Sequence, residues 1–157
     1  MALEIERKFL IKNDDWRKSA GEGVPYVQGY IFNVDEKVLR IRIAGDEAFV
    51  TIKGLTEVKE SIARLEYEYS IPMQDAKEML ERLCSEGKVE KLRYKIPYKG
   101  FVWEVDEFKG NNQGLIIAEV ELEKETNFVS LPSWVGDEVT SDIRYNNSFL
   151  AKNNLKA

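Results

Sequence analysis

The feature that most constrains this chain is an alternation of ionisable and apolar residues with a period of two, recurring in eight separate segments. Successive side chains of an extended strand point to opposite faces, so this period sorts charge to one side and hydrocarbon to the other. Leu39-Arg40-Ile41-Arg42-Ile43 and Lys91-Leu92-Arg93-Tyr94-Lys95-Ile96 alternate without a break, and β-branched isoleucine favours the strand. Leu3–Phe9, Val27–Phe32, Ala48–Lys53, Arg64–Tyr69, Trp103–Asp106 and Ala118–Glu123 follow the same rule. The first also places Glu4 and Lys8 at helical i,i+4 spacing, so alone it is ambiguous. Turn residues separate most segments: 33–36, Gly45-Asp46, Lys99-Gly100 and 109–114. Short connections of this kind predict consecutive antiparallel hairpins.

One segment changes period. Met73, Ala76, Met79, Leu80, Leu83 and Cys84 recur at spacings of three and four, which predicts an amphipathic helix over about 73–86 with Gly87 as its stop. Cys84 then faces the core and has no catalytic role. Asp14 is placed to cap a short helix through Lys18. The tail, with Trp134, Val139, Phe149 and Leu150 among polar residues, is expected to form short helices covering the sheet.

Composition removes whole classes of chemistry. With no histidine and one cysteine in 157 residues, a Ser-His-Asp triad, a Cys-His pair, a thiolate zinc cluster and an internal disulfide are all excluded. Twenty-three basic against 28 acidic residues give a net charge of −5, so no partnership with nucleic acid or an anionic membrane is expected. No apolar run reaches the ~20 residues of a membrane span, and Met1-Ala2-Leu3-Glu4 lacks a signal-peptide layout. A soluble cytoplasmic protein is expected, with one domain over 1–157. Any chemistry falls to carboxylates, Lys, Arg, Tyr and a hard metal ion.

The charges are not mixed as on an ordinary solvated face. Glu4/Glu6, Glu66/Glu68, Glu104/Asp106 and Glu119/Glu121/Glu123 stack acid on acid. Arg40/Arg42 and Lys91/Arg93/Lys95 stack base on base. Like charges so close are costly unless compensated. A divalent cation would compensate the acidic rows and a polyanion the basic ones. Clustered carboxylates select Mg²⁺ or Mn²⁺, and converging guanidinium and ammonium groups suit a chain of phosphates. The expected fold is mainly β, within the α+β class. It is an eight-stranded antiparallel closed barrel, a tunnel lined by charge, with a few covering helices. Dimerisation is one way to cover the remaining apolar exterior.

These residues resemble a known family. Glu4-Ile5-Glu6-Arg7-Lys8 is an ExExK motif similar to the hallmark of the CYTH superfamily, the triphosphate tunnel metalloenzymes. The likeness continues through Gln28-Gly29-Tyr30, Leu39 to Arg42, Thr51-Ile52-Lys53, Glu66-Tyr67-Glu68, Glu90 to Tyr94, Glu104-Val105-Asp106, Glu119-Val120-Glu121 and Arg144-Tyr145-Asn146-Asn147. The resemblance implies that Glu4, Glu6, Asp106, Glu119 and Glu121 hold metal. It implies that Lys8, Arg40, Arg42, Lys53, Lys91 and Arg93 grip the phosphate chain, and that Glu4, Glu6, Lys8, Glu66, Glu68 and Lys91 serve catalysis. It does not say which of Glu66 and Glu68 faces metal or attacking water. Tyr30, Arg144 and Lys152 are candidates for further contacts; ordinary packing for Tyr30 and solvated surface charge for the other two are the equal alternative.

The short length and the Glu-Ile-Glu-Arg-Lys-Phe start look most like the bacterial inorganic tripolyphosphatases. The implied activity is metal-dependent removal of the terminal phosphate of a small-molecule triphosphate. A class IV-type adenylyl cyclase, a thiamine triphosphatase and a non-catalytic polyphosphate-binding module are the alternatives, with RNA 5′-end trimming disfavoured by the acidic net charge. No adenine or thiamine pocket is evident. Trp103 lies on the face opposite Glu104, so it is expected to pack rather than stack on a ligand.

Overall fold

The computed structural model describes residues 3–57 and 61–153. Ten strands form one antiparallel sheet: β1 (Leu3–Glu4), β2 (Glu6–Ile11), β3 (Val24–Val34), β4 (Lys37–Ala44), β5 (Glu47–Leu55), β6 (Arg64–Ser70), β7 (Lys88–Tyr98), β8 (Phe101–Phe108), β9 (Ile116–Glu121) and β10 (Val135–Glu138). Helix α1 (Met73–Arg82) lies between β6 and β7, and the one-turn α2 (Asn147–Leu150) follows β10.

The hydrogen-bonded order is β1-β6-β5-β4-β3-β7-β8-β9-β2-β10. The expected closed barrel of eight strands is therefore corrected to a ten-stranded sheet whose order does not close. The physical reason lies at both termini. The N-terminal segment splits at Ile5: Leu3 and Glu4 pair with β6, whereas Glu6 to Leu10 pair with β9. Between them the Ile5 carbonyl accepts a hydrogen bond from the Leu122 amide at 2.7 Å. The tail adds β10 beside β2, where short helices alone were expected.

Helix α1 ends at Arg82, four residues before the expected end at 86. Beyond it the backbone is drawn to β3: the Glu86 amide donates to the Tyr30 carbonyl at 3.1 Å, and the Tyr30 amide donates to the Gly87 carbonyl at 3.2 Å. The short helix expected through Lys18 is a 3₁₀ turn over Asp14–Lys18, and its cap is Asn13 rather than Asp14. Asn13 is extended there and accepts from the Asp15 amide.

The apolar residues of the strands pack on one side of the sheet. Phe9, Trp103, Val105, Ala118 and Val120 are buried beneath Trp16 and the tail residues Val129 and Trp134. Trp103 sits between Phe9 and Trp134, with ring centres 5.5 and 5.8 Å away, so it packs in the core as expected. Helix α1 covers Ile41 and Ala48 with Ala76 and Leu80. Leu3, Ile52 and Tyr67 remain exposed on the same side. The charged residues of the alternation occupy the opposite face, where Leu150 of α2 closes a third cluster with Val89, Phe108 and Ile117, which share the strand phase of Lys91 and Asp106.

Candidate active site

Register decides what each charge meets. Lys8 on β2 lies opposite Glu119 on β9, Lys53 on β5 opposite Glu66 on β6, and Arg93 on β7 opposite Asp106 on β8. Arg40 lies opposite Thr51, which in turn lies opposite Glu68. The like-charged rows are thus compensated in part within the protein, by cross-strand neighbours of opposite sign. Lys53 Nζ is 2.8 Å from Glu4 Oε2 and 3.5 Å from Glu66 Oε2. Arg40 Nη2 is 3.6 Å from Glu68 Oε2 and donates to Thr51 Oγ1 at 3.1 Å.

These side chains surround a cavity of about 270 Å³. Of the cations singled out in the sequence, Lys8, Arg40, Arg42, Lys53 and Arg93 line it, as does Tyr30. Of the carboxylates, Glu4, Glu6, Glu66, Glu68, Glu119 and Glu121 line it. Lys91 and Asp106 do not. They form a fully buried pair behind the wall, with Lys91 Nζ 2.7 Å from Asp106 Oδ2. Asp106 also takes two bonds from Arg93, at 2.7 Å from Nε and 2.8 Å from Nη2. Arg144 is exposed and paired with Asp142. Lys152 is exposed, paired with Glu86 at the rim of an adjoining space.

The sequence reading missed Tyr26, Arg64, Glu104, Asn146, Asn147 and Ser148, all of which line the cavity. For Arg64 and Glu104 the signal was present, since each shares the charged phase of its strand. Tyr26 likewise has the parity of Gln28 and Tyr30 on β3. The asparagines act through their oxygens: Asn146 Oδ1 accepts from Lys8 Nζ at 3.2 Å, and Asn147 Oδ1 accepts from Lys91 Nζ at 3.1 Å.

The charge balance is uneven. Arg42 has no carboxylate partner among the described residues; its Nε donates to Gln28 Oε1 at 2.9 Å. Burial, then Arg40 and Arg93, push its guanidinium down to about 10. The Nε atoms of Arg40 and Arg64 are buried without a hydrogen-bond acceptor among the described residues. An anion in the cavity would satisfy all three. Behind the wall, burial pushes the Lys91 ammonium down to about 7, with Arg93 and Arg42 adding to it and Asp106 opposing. Burial alone would raise Asp106, but Arg93 and Lys91 hold it well below the usual carboxylate range.

The acidic side is strained in the complementary sense. Burial, then Glu6, raises the Glu119 carboxyl, and burial, then Glu4, Glu6, Glu66 and Glu104, raises Glu121. Mutual repulsion among oxygen donors is what a hard divalent cation relieves, so the donor set of Glu4, Glu6, Glu119 and Glu121 fits one. Among the described residues no three carboxylates are gathered into one coordination sphere. Glu4 leans on Lys53, Glu6 is 3.8 Å from Lys8 Nζ, and Glu119 is 3.7 Å from Arg93 Nη2.

Comparison with known proteins identifies relatives over nearly the whole chain. Residues 2–149 match the family model described as the CYTH domain. The inorganic triphosphatase of Acetivibrio thermocellus is 50% identical over 156 residues, covering 99% of this chain and 97% of that one. The inorganic triphosphatase of Nitrosomonas europaea is 37% identical over 153 residues, covering 94% and 96%. A solved crystal structure of an inorganic triphosphatase superposes with a TM-score of 0.65 at 37% identity, covering 98% of this chain and 97% of that one.

Proposed function

The chain belongs to the CYTH family, and on that premise we propose that it is a divalent-metal-dependent phosphohydrolase acting on inorganic tripolyphosphate or a related triphosphate. The observation that carries this reading is the cavity wall. Arg42 lacks a carboxylate partner among the described residues, and the Nε atoms of Arg40 and Arg64 lack acceptors, opposite carboxylates that repel one another. A linear chain of phosphates with a bound cation supplies both missing partners.

The tunnel is part of the proposal. Leu3–Glu4 pairs with β6 and Glu6–Leu10 with β9, with only Ile5 between them. On this reading the N-terminal segment curls the sheet about the charged face, while the hydrogen-bonded order itself stays open. The whole chain, 1–157, then acts as one unit.

In the proposed reaction Lys8, Arg40, Arg42, Lys53 and Arg93 bind the phosphate oxygens and hold the chain in line. Water attacks the terminal phosphorus, and the bond to the bridging oxygen breaks. Orthophosphate and pyrophosphate leave, and the water proton passes to Glu66 or Glu68. Arg42 and Arg93 stabilise the charge spread over the transferring group. Glu4, Glu6, Glu119 and Glu121 would hold Mg²⁺ or Mn²⁺, which when bound supplies charge neutralisation and polarises the phosphoryl oxygens. Asp106 is reassigned from metal ligand to anchor: it fixes Arg93 through both oxygens and balances Lys91.

A second reading has one observation in its favour. The cavity opens into a space of about 920 Å³ that shares Glu6, Lys8, Arg64 and Asn146 with it and adds the apolar side chains of Leu55, Ile62, Ile143 and Phe149. Inorganic tripolyphosphate has no use for such a surface, whereas an organic triphosphate does. Orthophosphate release from tripolyphosphate, ATP, thiamine triphosphate and pyrophosphate, each with Mg²⁺ and Mn²⁺, decides between them. The first reading expects tripolyphosphate to be cleaved fastest and pyrophosphate hardly at all. Cyclic AMP and pyrophosphate from ATP would instead identify a cyclase, and binding without turnover a receptor.

The net charge of −5 suits a small polyanion enclosed by local cations better than nucleic acid or an anionic membrane. No helix among the described residues is long and apolar enough to cross a membrane. A cytoplasmic location suits these features. A homodimer covering Leu3, Ile52 and Tyr67 is compatible with their exposure.

A further inference from the structure

Tyr26 belongs to none of the charged rows, yet it is where three of the cations meet. On β3 it lies directly opposite Lys91 of β7. Its neighbours two residues away on the same face of β3, Val24 and Gln28, lie opposite Arg93 of β7 and Arg42 of β4. Arg93 and Arg42 are therefore diagonal neighbours of Tyr26, at the range where an aromatic ring reaches across a sheet. The distances follow. From the Tyr26 ring centre, Arg93 Cζ is 5.0 Å, Arg42 Cζ 5.1 Å and Lys91 Nζ 5.7 Å. All three are within the ~6 Å at which a ring face attracts a cation.

We propose that the Tyr26 ring is a positioning residue that spaces Arg42, Lys91 and Arg93 and thereby sets how tightly the cavity grips a phosphate chain. The inference rests on the reading that Arg42 and Arg93 serve a polyphosphate. Three cations packed around one ring repel one another, and only two of them have an acid: Asp106 serves Lys91 and Arg93. Arg42 has the Gln28 carbonyl oxygen and the ring. A carboxylate at position 26 would neutralise Arg42 and compete with the substrate anion. An aliphatic side chain would leave the repulsion unopposed and let Arg42 swing away. An aromatic face attracts cations without adding net charge, so it holds Arg42 beside the Asp106-bound Lys91 and Arg93 while adding no carboxylate to compete with phosphate oxygens for Arg42. Lys91 is also 5.7 Å from the Phe108 ring, which steadies it from a second direction.

The test uses full-length protein with Mg²⁺ and a non-hydrolysable imidotriphosphate as the probe, with calorimetry reading the dissociation constant. Tyr26→Phe is expected to bind within about twofold of wild type, because the face is kept, and Tyr26→Leu about tenfold more weakly. Leucine also changes packing, so a second series separates the two effects. In the Tyr26→Phe protein, adding one, two and then three fluorines to the ring keeps its shape and drains its electron density. Stepwise weakening along that series, with an unchanged Tm, is the expected result. A flat series, or equal weakening in Tyr26→Phe and Tyr26→Leu, overturns the role of the ring while leaving the triphosphatase reading intact. If wild type fails to bind the imidotriphosphate in the presence of Mg²⁺, both fall together.

Discussion

Lys91 Nζ and Asp106 Oδ2 lie 2.7 Å apart, and neither side chain has any exposure to solvent. A carboxylate bonded to Lys91 and gripped by Arg93 through both oxygens has little left to offer a metal ion. Removing its charge would strand two buried cations. Asp106→Asn is therefore expected to cost about 3–5 kcal/mol of stability in denaturant unfolding without divalent cations. Wild-type stability combined with lost metal affinity would return Asp106 to the metal-binding set.

Arg42 should behave in the opposite way. Its lowered pKa, caused by burial and then by Arg40 and Arg93, marks a cation the empty fold does not favour. That cost is constant at neutral pH, because the shift acts only between about 10 and the ordinary value of 12.5. Arg42→Gln is expected to raise the Tm of the ligand-free protein while lowering kcat/KM for tripolyphosphate by about 10²-fold. A fall in both would make Arg42 a structural residue.

The raised carboxyls of Glu119 and Glu121 predict a pH dependence of a defined sign. A carboxyl raised in the folded state keeps its proton after the unfolded chain has lost it. Its stabilising contribution is complete below about 4.5 and is lost as pH rises through the raised folded value. A bound divalent cation reverses this, since it requires the deprotonated form. The gain in Tm on adding Mg²⁺ should be larger at pH 8 than at pH 5.5, and Glu119→Gln should flatten the difference. An equal gain at both values would remove these carboxylates from cation binding.

Gly87 anchors the tail. Its φ is +96°, and a Cβ built there would collide with the backbone carbonyl of Ala151. Gly87→Ala should cost about 1–3 kcal/mol and push α2 away. Asn146 and Asn147 would then leave Lys8 and Lys91. The readouts are faster proteolysis of the tail and a raised KM for tripolyphosphate. Unchanged Tm and KM would show that the tail does not depend on this contact.

The strand phase was legible because it is local: Arg40 and Arg42 must share a face whichever strands flank β4. What a charge meets across the sheet was not legible, because register is set by distant segments. Glu104 and Asp106 have the same parity, yet β9 sets Glu119 opposite the first and Ile117 opposite the second. The first therefore borders the cavity, and the second is sealed with its cations. The split at Ile5 and the strand Val135–Glu138 were hidden for the same reason: each depends on what a partner strand leaves unpaired. Tyr26 stands one residue ahead of the alternating segment Val27–Phe32, so only its parity with Gln28 and Tyr30 marks it in the sequence.

The central claim is that the cations and carboxylates converge on one polyphosphate. A crystal structure with a non-hydrolysable imidotriphosphate and Mg²⁺ tests it most directly. The account predicts the analogue inside the cavity, its oxygens within hydrogen-bond distance of Lys8, Arg42 and Arg93, with the metal held by Glu4, Glu6, Glu119 and Glu121. An analogue bound to the exterior, with Arg42 and Glu121 untouched, would contradict it.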